Sequence, residues 1–256
     1  MTGILPIAKE LSQSTINCFK EYTMLEDGLY YKYFSFTEKE VKELEKNVKY
    51  TDLEDWYNGY NSCNDEKIYN TWSICQALRD DKINDYWTKT GRIYKVVDII
   101  NFNLEGIKND ILNLITNEGI SMKLENYGIE DMMETTREKT DLEKKGELYS
   151  LMINYGYLTY YKGKITIPNK ELKQKFKIAL MRNEDLKCYY DLMEKSKDIH
   201  DATLDKKPEK VCKILKEIQI NEAGKNEFYN YNTLNFIVKF AYFYSRDTYK
   251  IQQDGY

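Results

Sequence analysis

Tyr157-Leu158-Thr159-Tyr160-Tyr161, Lys162-Gly163-Lys164 and Ile165-Thr166-Ile167-Pro168 make two β-rich runs around a glycine turn, the signal of a hairpin. Immediately upstream, Asp141–Tyr155 reads as a helix that stops at Gly156, and immediately downstream a helix opens at Asn169. Farther upstream, Ile107–Asn117 sets Ile107, Ile111, Leu114 and Ile115 on one helical face. A short strand is expected at Ser121–Leu124 and a further helix near Ile129–Glu134.

A helix, a hairpin and a second helix in this order form the winged-helix pattern. Helices on either side outnumber strands, so the expected class is α+β, predominantly helical. Toward the N-terminus, Ser14–Lys20 and Thr37–Asn47 read as helices. Thr37 is a good N-cap with Glu40 three residues on to complete a capping box, and Val41 and Leu44 share a face. Leu53–Tyr57 closes a helical segment at Gly59. A loop over Asn61–Asp65, a short strand at Lys67–Asn70 and helices at Ser73–Leu78 and Gly91–Asn101 follow. Beyond the hairpin, Glu171–Met181, Asp185–Ser196, Pro208–Gln219 and Asn232–Tyr244 carry apolar residues at helical spacing. The last of these is expected to turn Leu234, Ile237, Val238, Ala241 and Tyr242 one way, before a strand over Ser245–Gln252.

Met1-Thr2-Gly3-Ile4-Leu5-Pro6-Ile7-Ala8-Lys9 is a different kind of segment. Ile4-Leu5 and Ile7-Ala8 read as a strand buried on both faces, as in a parallel sheet, yet nothing downstream offers a parallel partner. The expectation is a fragment whose partner strands lie elsewhere.

Several stretches in order carry a resemblance. They are Thr2–Lys9, Phe34-Ser35-Phe36-Thr37-Glu38-Lys39-Glu40-Val41, and Trp56-Tyr57-Asn58-Gly59-Tyr60 with Tyr69-Asn70-Thr71-Trp72-Ser73. Asp85-Tyr86-Trp87-Thr88-Lys89-Thr90, Tyr155–Thr159 and Ile167–Glu171 complete the series. Together they resemble AAA-ATPase-like proteins that carry a C-terminal PD-(D/E)XK nuclease-like domain, although Thr71 stands where that family has proline and Lys89 where it has asparagine. The resemblance implies that residues 1–104 are the last strand and helical lid of the ATPase-like domain. It places a winged-helix-like unit at 105–180, a helical linker at 181–230 and the start of the nuclease-like domain at 231–256. ATP and magnesium are implied for the intact family and no cofactor for this chain alone.

The chemistry of an ATPase is missing from the residues themselves. No G-x-x-x-x-G-K-[ST] loop occurs to cradle phosphates, and no apolar strand ends in magnesium-binding carboxylates. Thr2 is the one candidate nucleotide-facing residue: the resemblance lets it stand where a polar side chain orients attacking water, while the plainer reading is a hydroxyl that ends a strand. No catalytic residue and no metal ligand is assigned. The aromatics of Trp56–Tyr60 and Tyr69–Trp72 can stack on nucleic acid or fill the lid core, and core is the favoured reading. In the candidate recognition helix Asp141–Tyr155, charges are mixed and Leu148, Leu151 and Met152 look like core, which favours a protein-binding or structural role over DNA reading. The single histidine, His200, lies between Asp198 and Asp201 and reads as a solvated surface residue.

Composition sets the remaining bounds. A net charge of -4 does not mark a general nucleic-acid binder, and 42% hydrophobic with 31% charged residues suits a folded chain. No apolar run reaches the ~18 residues of a membrane span. Five scattered cysteines fit reduced thiols, so the expected location is cytoplasmic, with no membrane partner. The reading is therefore a piece of an AAA-ATPase-like protein without ATPase or nuclease activity on its own. Its expected partners are the missing N-terminal ATPase half or a second copy of the chain. The alternatives are a stand-alone winged-helix module binding protein or DNA, and the lid half of a split ATPase.

Overall fold

In the computed structural model, the described residues are 30, 33–45, 48–61, 65–87, 100–124, 139–221 and 231–249. The strand expected at Ile4–Ala8, the helices near Ser14–Lys20 and Ile129–Glu134, and all but the end of Gly91–Asn101 fall outside them. The described chain is a predominantly helical α+β protein with small antiparallel sheets. It divides into two compact units, residues 1–176 and 177–256.

The first elements among the described residues of this unit are strand β1 (Phe36–Thr37) and helix α1 (Glu38–Leu44). Thr37 and Glu40 form the capping box: the Thr37 hydroxyl accepts from the Glu40 amide, and the Glu40 carboxylate accepts from the Thr37 amide at 2.8 Å. Helix α2 (Tyr50–Tyr57), strands β2 (Tyr60–Asn61) and β3 (Lys67–Tyr69) and helix α3 (Thr71–Asp80) follow. Asn70 caps α3, its side chain accepting from the Ser73 amide. The sheet runs β1-β3-β2, with Phe36 opposite Tyr69 and Tyr60 opposite Ile68. Under it lie Val41, Val48, Leu53, Tyr57, Ile74 and Ala77, all buried. Burying the valine, leucine and isoleucine side chains among them contributes about 1.5–3 kcal/mol each.

The second half of this unit comprises α4 (Ile107–Ile115), β4 (Ile120–Ser121), α5 (Asp141–Asn154), β5 (Thr159–Tyr161) and β6 (Lys164–Thr166). The four α4 residues expected on one face are all buried, and Leu112 joins them. A second capping box, Thr140 with Glu143, starts α5. At the hairpin tip Lys162 and Gly163 both have positive φ, 48° and 81°, the backbone that matches the twist of a two-residue hairpin. The sheet order is β4-β6-β5, so the strand from before α5 pairs with the far arm of the hairpin, Ile120 opposite Ile165. Asn169 then caps helix α6 (Lys170–Arg182), its side chain accepting from the Leu172 amide.

In the second unit α7 (Lys187–Leu204) packs against α8 (Pro208–Asn221), α9 (Tyr231–Ala241) and a 3-10 turn at Phe243–Asp247. Two sequence expectations are corrected here. Helix α9 buries Phe236, Phe240 and Ala241 and leaves Leu234 and Val238 56% and 46% exposed. The cause is α7, whose Tyr189 ring meets Phe236 and Phe240 at 6.2 and 5.3 Å. Where a strand was expected over Ser245–Gln252, the described part is the 3-10 turn instead. Side chains of α7 hold it there, with the Tyr244 amide donating to Ser196 Oγ at 3.2 Å.

Candidate functional site

Among the described residues, a buried cluster of polar groups lies inside the first unit, around Glu171 in the first turn of α6. Its side chain is withdrawn from solvent, the residue being 1% exposed. Oε1 accepts from the backbone amides of Tyr86 and Trp87, both at 2.6 Å, and Oε2 accepts from Ser73 Oγ at 2.8 Å. An ionised group makes such bonds strong, on the order of 1.5–3 kcal/mol each. Burial pushes this carboxyl above the usual carboxylate range. The three donors pull the other way, and the Asp85 carboxylate adds to the rise.

Around Glu171 the same two segments are clasped again. Lys175, one turn farther along α6, pairs with Asp85 at 2.7 Å, and Lys170 pairs with Asp55 at 2.7 Å. Tyr60 OH donates to the Gly156 carbonyl at 2.6 Å, and the rings of Trp87 and Tyr157 lie 5.6 Å apart. Gly59 sits so close to Pro168 that a Cβ would fall 1.6 Å from the Pro168 carbonyl oxygen, and its φ is +111°. Expected to end a helix, Gly59 has a second duty: it lets two backbones touch.

The aromatic residues divide. Tyr57, Tyr60 and Tyr69 are core, their hydroxyls bonded to the Asn84 carbonyl, the Gly156 carbonyl and Tyr50 OH. Trp56 is partly buried against that core. Trp72 departs from the core reading, being 50% exposed. No continuous stacking platform results among the described aromatics of these motifs.

On α5, Leu148, Tyr149, Met152 and Ile153 are buried. Its two cations are engaged, Lys145 with Asp110 and Lys144 with Asp141 at 3.6 Å, and its Glu147 pairs with Lys139, just ahead of the helix, at 2.6 Å. Asp110 also accepts from Tyr149 OH at 2.7 Å, joining α4 to α5. At the hairpin tip Lys162 reaches Asp65 at 3.0 Å. A phosphate backbone would have to displace these carboxylates.

Other candidates disperse. Thr2 lies outside the described residues. His200 is half-buried rather than solvated: Nδ1 shares a hydrogen bond with Ser245 Oγ at 2.8 Å, and Tyr244 and Tyr249 pack on its ring. Asp80 pairs with Arg79, and Asp81 ends α3 in the left-handed conformation. Among the described residues no three His, Cys, Asp or Glu side chains are grouped to hold a metal ion. Cys75, Cys188 and Cys212 form no disulfide. No described helix is long and apolar enough to cross a membrane.

Glu171 received no role in the reading of the sequence, although it lies in the Ile167–Glu171 stretch that carries the resemblance. That motif was the one signal that could have found it. The fold is that of a predominantly helical α+β protein, and the cluster at Glu171 joins α3 and the Tyr86–Trp87 segment to α6. Comparison with family models, curated proteins and solved structures finds no match to the chain.

Proposed function

We propose that this chain supplies the lid and winged-helix parts of an AAA-ATPase-like protein with a C-terminal PD-(D/E)XK nuclease-like domain. Its own task in this reading is to hold those parts together as a platform for a protein partner, the P-loop half foremost, with no ATPase or nuclease chemistry of its own. The observation that carries the reading is the convergence of the motifs. Gly59 and Tyr60, Ser73, Tyr86 and Trp87, and Glu171 come from four separate motif stretches and meet in one joint. A shared architecture behind those motifs would produce such a meeting. The order α4, β4, α5, β5, β6, with β6 between the other two strands, supports the winged-helix part. The paired cations of α5, Lys144 and Lys145, favour a protein surface over DNA.

The test is calorimetric titration of the chain with Mg-ATP, alone and mixed with a polypeptide carrying the phosphate-binding loop. Anisotropy of a labelled DNA duplex at about 50 and 200 mM salt completes it. No nucleotide binding by the chain alone, binding on mixing, and no DNA binding are expected. ATP turnover by the isolated chain would overturn the reading. Tight, steeply salt-dependent DNA binding would move the function to the stand-alone module.

A further inference from the structure

We draw no further inference here: the strongest candidate, the exposed aromatic patch of Tyr33, Phe34 and Trp72 beside the edge strand of the first sheet, is an unpartnered apolar face, and nothing in the structure shows what covers it.

Discussion

The start of α1 and the joint at Glu171 use the same chemistry, a glutamate carboxylate accepting backbone amides, in opposite settings. At α1 the partners are three residues apart and exposed, and the bond from the Thr37 amide holds the Glu40 carboxyl below its ordinary range. At the joint the partners are 84 to 98 residues away, and burial raises the Glu171 carboxyl despite three donors. A hydrogen bond made in water adjusts a helix end. Made in the interior, it becomes a condition for two segments to stay together, because either side left unpaired carries its full desolvation cost.

Gly59→Ala is the harshest way to break the joint. Its Cβ would collide with the Pro168 backbone, and alanine disfavours the required φ, so a loss of at least about 4 kcal/mol is expected. All three tryptophans, Trp56, Trp72 and Trp87, lie in the first unit, so urea unfolding followed by tryptophan fluorescence reads it directly. A change within about 1 kcal/mol would mean that the two backbones do not meet as described.

Glu171→Leu fills similar space but leaves the Tyr86 and Trp87 amides without their acceptor. A loss of about 3–5 kcal/mol is expected, with faster hydrogen exchange at those two amides. Unchanged exchange there would remove Glu171 from the joint.

Glu171→Gln separates hydrogen bonding from charge. The amide oxygen can accept from both backbone groups while its nitrogen donates to Ser73 Oγ, so the change should stay within about 1 kcal/mol. The folded carboxyl lies above its unfolded value, so the stability it contributes is full below the unfolded pKa and lost as pH rises through the folded one. Wild type should therefore compare best with the glutamine variant below the ordinary carboxylate range and progressively worse as pH rises through the raised folded value. A trend of the opposite sign would show that the donors outweigh burial.

Thr37→Ala has the smallest expected effect, about 1 kcal/mol from a lost N-cap. The linkage at Glu40 has the reverse sign. Its folded carboxyl is lowered, so its contribution is present above the unfolded pKa and fades as pH falls through the folded value. If Thr37→Ala cost as much as Glu171→Leu, the contrast between exposed and buried carboxylates would fail.

The division between legible and illegible features follows the same line. Thr37 with Glu40, the Lys162-Gly163 turn and the buried face of α4 are local patterns spanning a few residues. Helix α9 was misread because it is apolar nearly all round: Leu234, Phe236, Ile237, Val238 and Phe240 offer two plausible buried faces, and periodicity cannot choose between them. Tyr189 of α7 makes the choice. The 3-10 turn at Phe243–Asp247 likewise depends on Ser196 and His200, residues some 45 positions back.

Helix starts, the hairpin, the lack of a G-x-x-x-x-G-K-[ST] motif and the predominantly helical α+β class are legible in the residues alone. Those properties depend on backbone preferences and side-chain reach over three or four residues. Tertiary packing, by contrast, is what makes Glu171 a joint, forbids a side chain at Gly59, turns Trp72 to solvent and brings Asp110 of α4 to Lys145 of α5. Each of these depends on which distant group arrives to remove water or to supply a donor, and no local pattern encodes that arrival.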